Sequence, residues 1–148
     1  MDVGDIVEDF ELTDEQGVRR SLTRLLADGP VVLFFYPAAM SAGCTVEACH
    51  FRDLATEFKE AGGQRLGIST DPVAKQKEFA DFNGFDYPLV SDESGEVATA
   101  FGVKRKYITP VKRATFVIDR DRTVRSVITS EMNMTVHADR ALEALRGL

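Results

Sequence analysis

The longest apolar run in the chain is Val31-Val32-Leu33-Phe34-Phe35-Tyr36, bounded by Pro30 and Pro37. Branched and aromatic residues in a run of that length predict a central strand buried on both faces. Arg65-Leu66-Gly67-Ile68-Ser69-Thr70 predicts a second buried strand. Ala114–Ile118 and Val124–Ile128, joined by the polar turn Asp119–Arg122, predict a hairpin. Asp9–Leu12 alternates like a short strand before a turn at Asp14–Gly17, and Tyr87–Val90 is a further short strand. Helical spacing appears in Phe51, Leu54, Phe58 and Ala61, which predict one helix over 44–61, stopped by Gly62-Gly63. Asp71 as N-cap and Pro72 at the first helical position open a helix to about Phe82. Ser94-Gly95 to Phe101 reads as a short helix. From Thr135 onward Ala138, Ala141, Leu142 and Leu145 mark one face of a closing helix.

Strands and helices therefore alternate first, and an antiparallel hairpin and a last helix follow. That order predicts an α/β fold of thioredoxin-like arrangement, a central mixed sheet flanked by helices, with an N-terminal extension. With 148 residues and no repeat or linker, the expectation is a single domain over 1–148.

Charge and composition narrow the partners. Lys and Arg number 18 against 24 Asp and Glu, a net charge of −6, which argues against a nucleic-acid partner. No apolar run reaches the ~20 residues of a membrane span. Met1-Asp2-Val3-Gly4-Asp5 is acidic and lacks the apolar core of a secretory signal, so the expected compartment is the cytoplasm. In that setting the two cysteines, Cys44 and Cys49, are not expected to form a structural disulfide. A buried pair, a metal site and redox chemistry remain.

Cys44 follows a buried strand and a loop of small residues, and falls in the first turn of the next helix. In open α/β sheets, sites form where strand C-termini meet helix N-termini. Free amides and the positive end of the helix dipole favour an anion there, and a thiolate is such an anion. Gly43 allows close backbone approach, and the Ser41 hydroxyl can donate to a bound oxygen. The local sequence is equally compatible with Cys44 as a small buried hydrophobe. Cys49 lies five residues on, which in an ideal helix separates the Cα atoms by roughly 8–9 Å. A disulfide needs them within about 7 Å. The two cysteines can pair only if the helix start unwinds; otherwise Cys49 is a core residue.

The stretch Gly43-Cys44-Thr45-Val46-Glu47-Ala48-Cys49-His50-Phe51-Arg52-Asp53 resembles the peroxiredoxins, within them the Q-type or bacterioferritin-comigratory branch. The family pattern is proline, three residues, threonine, two residues, cysteine. Here it reads Pro37, Ser41, Cys44, with Ser41 for threonine and Ala42 where the branch usually has proline. The likeness continues in Leu66–Asp71, Pro88–Asp92 and Arg113–Asp119. The resemblance implies a thiol-dependent peroxidase for hydrogen peroxide and organic hydroperoxides. Cys44 would be the peroxidatic cysteine and Cys49 the resolving one. Arg113 would stabilise the thiolate and polarise the peroxide, Pro37 would shield the pocket, Ser41 would bond the peroxide, and Glu47 would brace Arg113. The sulfenic acid formed on Cys44 would condense with Cys49, and thioredoxin would reduce the resulting disulfide. The resemblance implies no metal, flavin or haem, and a monomer.

Read without that resemblance, Arg113 is a surface charge beside Lys112. Arg52 and Asp53 are helix-face charges, and Lys104-Arg105-Lys106 with Tyr107 is a solvated loop. His50 and His137 lack the spacing of metal ligands. A redox sensor built on a Cys44–Cys49 switch is the reading from another class, though it has no need of Arg113 and Ser41. A disulfide reductase is disfavoured because the chain has no Cys-x-x-Cys.

Overall fold

A computed structural model describes all residues, 1–148. In chain order its elements are β1 (Glu11–Asp14), β2 (Arg19–Ser21), α1 (Leu22–Leu26), β3 (Val31–Phe35), α2 (Ala42–Asp53), α3 (Ala55–Glu60) and β4 (Gln64–Ser69). There follow α4 (Val73–Asn83), β5 (Leu89–Ser91), α5 (Glu96–Ala100), β6 (Ala114–Ile118), β7 (Val124–Thr129) and α6 (Val136–Arg146). The seven strands form one sheet in the order β2-β1-β5-β4-β3-β6-β7. β3, β4 and β5 run parallel, and β6 lies antiparallel to β3 in the register Phe35↔Ala114 to Val31↔Ile118. The expected mixed sheet with flanking helices is present, with β3 in its interior between β4 and β6.

The pleat explains why the β3 run is apolar throughout. Val31, Leu33 and Phe35 enter a core with Leu22, Leu26, Phe101 and Phe116, while Val32, Phe34 and Tyr36 enter a second with Phe51, Phe58, Phe79 and Leu145. All five β3 residues are buried, as a strand covered on both faces requires. Cys44 belongs to the second core, under the face that carries α2, α4 and α6.

The structure corrects the predicted elements in three places. The helix over 44–61 starts earlier, at Ala42, and is two helices that meet at Leu54, whose backbone (φ −94, ψ 20) leaves the helical region. In an unbroken helix the Ala55 amide would bond Phe51 O; that carbonyl instead accepts from Arg65 Nη1 at 2.9 Å. Asp71 does not cap α4. Pro72 is the N-cap residue, and the Asp71 carboxylate turns toward the loop before α2. Finally, β2 and α1 were not expected. Leu22 and Leu26, four apart and fully buried, supply the helical face, and Ser21 Oγ accepts from the Arg24 amide.

Candidate active site

β3 delivers the chain to the site edge of the sheet. Tyr36 still bonds Ile68 O through its amide, and Pro37 then ends the pairing. The loop from Pro37 to Ser41 is fastened from β4's end: Asp71 Oδ2 accepts from the Ala39 amide at 2.7 Å and from Ser69 Oγ at 2.8 Å. Met40 adopts a left-handed backbone (φ 70), a conformation uncommon outside glycine and aspartate-like residues. That turn brings the chain round into α2, with Ser41 at the N-cap position.

Cys44 is the third helical residue of α2 and is 1% exposed. The amides of Ala42, Gly43 and Cys44 have no carbonyl of the preceding turn to bond, so three donors lie at the start of the helix around the cysteine. Ser41 Oγ donates to Ala38 O at 2.8 Å, which leaves its lone pairs, not its hydrogen, free for a bound molecule. Pro37 is half-buried beside this loop. Gly43 leaves room for Arg113: a Cβ there would stand 3.4 Å from Nη2 and 3.5 Å from the sulfur of Met134.

Arg113 is the residue on which the local reading of the sequence failed. It is buried, 6% exposed, one residue before β6. Its Nη2 donates to Cys44 Sγ at 3.3 Å and its Nη1 to Glu47 Oε1 at 2.8 Å. Glu131 Oε1 fixes the Arg113 backbone amide at 3.2 Å. Burial works against the guanidinium charge, but Glu47 and Cys44 outweigh it and hold the Arg113 pKa above its ordinary value. Glu47 is fully buried, and desolvation pushes its carboxyl up to about 8 against the pull of Arg113.

Behind Glu47 lies His137 on α6, also fully buried. Its Nε2–H donates to Ser130 O at 2.8 Å, and in the neutral ring that burial favours, Nδ1 accepts from the Thr115 hydroxyl at 2.8 Å. Burial, and the Arg113 charge with it, keeps the His137 pKa below its ordinary value. Glu47 Oε2 is 3.6 Å from His137 Nε2, too far for a hydrogen bond, and has no other partner.

Cys49 lies on the far side of the helix from Cys44. Its thiol donates to Asn83 Oδ1 at 3.6 Å, and burial, with Asp53 adding to it against Arg52, raises its pKa. Both cysteines are free thiols. The structure thus gathers Cys44, Gly43, Ser41, Glu47 and Arg113 at one helix start and sets Cys49 apart from them. Sequence reasoning missed Asp71, Glu131 and His137 as parts of this environment. His137 does fall on the buried face of α6 beside Ala138 and Ala141, a spacing that signals burial but not the partner.

The other charged groups hold peripheral positions. His50 Nε2 donates to Asp139 Oδ1 at 2.7 Å. Arg52 pairs with Asp53 and also donates to Asn83 O at 2.7 Å. Tyr107 is 78% exposed in its loop. No helix is long and apolar enough to cross a membrane.

A buried cysteine at a helix N-terminus, bonded by a buried arginine and open to free amides, defines a thiol-based redox site. Residues 3–127 match the AhpC/TSA family model, and the chain belongs to that family, the peroxiredoxins. It is similar to a Mycobacterium tuberculosis protein named as a peroxiredoxin, at 62% identity over 151 residues, covering 100% of this chain and 98% of that one. The crystal structure of peroxidoxin BcpB from Mycobacterium tuberculosis superposes with a TM-score of 0.96, at 62% identity over 100% of this chain and 98% of that one. The bacterioferritin comigratory protein of Xanthomonas campestris, whose structures concern alkyl peroxide reduction, gives 0.86 at 31% identity, over 97% of this chain and 98% of that one. The fold is the thioredoxin-like peroxiredoxin fold, and the chain is a thiol peroxidase of that family.

Proposed function

We propose that Cys44 is the peroxidatic cysteine and Cys49 the resolving cysteine of an atypical 2-Cys enzyme that reduces hydrogen peroxide and organic hydroperoxides. The single observation that carries this is the Arg113 fork on Cys44 and Glu47 at a helix start. The thiolate attacks the terminal peroxide oxygen, the S–O bond forms as the O–O bond breaks, and the departing oxygen takes up charge. Arg113 and the amides of α2 are aimed where that charge develops, and such preorganised donors carry most of the stabilisation in sites of this kind. Pro37 keeps water from the sulfur. Ser41, with its hydrogen held by Ala38 O, accepts the peroxide hydroxyl.

The product is a sulfenic acid on Cys44, which Cys49 attacks. Helix geometry holds the two apart, so the first turns of α2 unwind before the disulfide closes. A dithiol reductant then reopens it by exchange, and thioredoxin fits that role. Resolution within one chain needs no second subunit, so the working form is a monomer. It acts as one domain in the cytoplasm, where thiols are kept reduced. The alkyl peroxide reduction named for the Xanthomonas relative supports organic hydroperoxides as substrates.

The test is turnover of hydrogen peroxide and an alkyl hydroperoxide with thioredoxin and its reductase. Steady-state reduction that Cys44→Ser abolishes, and that in Cys49→Ser stops after a single turnover, supports the assignment. Full steady-state activity of the Cys49 variant with thioredoxin overturns the resolving role.

A further inference from the structure

One guanidinium serves two acids. Arg113 bonds Cys44 Sγ at 3.3 Å and Glu47 Oε1 at 2.8 Å, and all three groups are buried. With both acids ionised the site would hold two negative charges against one positive charge away from water, an arrangement that desolvation penalises heavily. Nothing else around Glu47 offsets a second charge. From α6, His137 is neutral, its one ring hydrogen committed to Ser130 O. From the segment before α6, Glu131 adds a negative charge, and its partner Arg105 lies at the exposed edge. On α2 itself only Cys44 faces the same guanidinium. Glu47 Oε2 receives no hydrogen bond at all. An ionised carboxylate oxygen left bare in a buried site is costly, whereas a protonated carboxyl is far less so.

We propose that Glu47 is the proton store of the peroxide step: it holds a proton while Cys44 is a thiolate and releases it when the sulfur's charge is consumed. This rests on the reading of Cys44 as the peroxidatic cysteine. The upward push on the Glu47 carboxyl is consistent with the geometry.

The step balances within the site. The thiolate attacks the terminal oxygen of R–O–O–H, forming S–O and breaking O–O, and the electron pair departs on the R–O oxygen. Sulfur is oxidised by two electrons to the sulfenic acid, keeping the hydrogen of the terminal hydroxyl, and the peroxide is reduced by the same two. The departing alkoxide or hydroxide takes a proton from the guanidinium, and Glu47 restores it at Nη1. Hydroxide and alkoxide are stronger bases than guanidine, and guanidine is a stronger base than a carboxylate, so both transfers run downhill. Before the step the charges are thiolate, guanidinium and neutral carboxyl. Afterwards they are neutral sulfenic acid, guanidinium and carboxylate. The sum is unchanged, and no proton is drawn from solvent. Arg113 serves one anion in each state.

Infrared difference spectroscopy with a pH indicator tests this on the Cys49→Ser variant, which stops at the sulfenic acid. One equivalent of hydrogen peroxide is mixed with the reduced protein near pH 7, and mass spectrometry confirms the oxygen on Cys44. Loss of a carboxyl C=O band, gain of carboxylate bands and no net proton uptake are expected. With Glu47→Gln added, the band change disappears and about one proton is taken up per sulfenic acid, as charge balance requires. Sulfenic acid formed with Glu47 intact but with no carboxyl band change overturns the proposal alone. No sulfenic acid on Cys44 overturns the peroxidase reading and the proposal together.

Discussion

Between Ser41 and Glu47, every side-chain hydrogen bond that leaves α2 for another element ends on Arg113: one from Cys44 and one from Glu47. Between Ala48 and Asp53 the ties reach four separate places. Tyr87 donates to Ala48 O at 2.6 Å, Arg65 to Phe51 O at 2.9 Å, His50 pairs with Asp139 at 2.7 Å, and Cys49 and Arg52 both bond Asn83. One helix therefore has a first half held by a single residue and a second half held by β4, α4, α6 and the approach to β5. Local opening follows the least-anchored segment. In the proposed cycle Cys44 travels and Cys49 waits. In that cycle Arg113 would be both the activator of Cys44 and the fastener of the half that opens, so that oxidation of the sulfur would weaken the contact holding the helix start closed.

The largest expected effects sit in the first half. Cys44→Ser should lose peroxide turnover altogether, measured as peroxide consumption with thioredoxin. Arg113→Ala should keep the thiol but slow its reaction with peroxide roughly 10²–10³-fold, the usual cost of removing one preorganised donor. Competition against a peroxidase of known rate would show it; an unchanged rate would mean that the fork is only structural.

The same half carries a pH dependence. Glu47 is raised to about 8 in the folded chain from an ordinary value of 4.5. Between those values the folded state holds a proton that the unfolded state has lost, so this group makes stability fall as pH rises through that window, by on the order of a few kcal/mol. Glu47→Gln should flatten that slope in denaturant titrations at pH 5 and 8. An identical slope in both proteins would remove Glu47 as its source.

Changes in the second half should act on stability and leave the chemistry alone. Tyr87→Phe removes a buried hydrogen bond and should cost about 1 kcal/mol. Amide exchange across 48–53 should then quicken while the peroxide reaction keeps its rate. A slowed peroxide step in that variant would erase the distinction between the halves. The smallest effect is expected for Ser41→Thr, which restores a methyl that restricts rotation about χ1; the peroxide rate should rise by a few-fold at most.

The legible parts of the molecule are those whose cause is local. The β3 run, the α6 face and the hairpin all depend on period and turn chemistry, and each stands within a few residues of its predicted place. The break at Leu54 was not legible, because it depends on Arg65 taking Phe51 O from fourteen residues away. Asp71 carries the local signature of a cap, yet its carboxylate serves a loop 32 residues earlier. Arg113 reads locally as a solvated charge and is buried only because Cys44 and Glu47, 69 and 66 residues away, receive it. Family resemblance reached Arg113 where periodicity could not. Neither reached His137, whose contact with Glu47 exists only once α6 packs on α2.

Intact mass, followed in time after fully reduced protein meets one equivalent of hydrogen peroxide, tests the central claim most directly. Rapid loss of two hydrogens, with Cys44 and Cys49 found linked by peptide mapping, is the predicted result. A stable gain of one oxygen on Cys44 with Cys49 still free, or reaction no faster than that of an ordinary thiol, would contradict it.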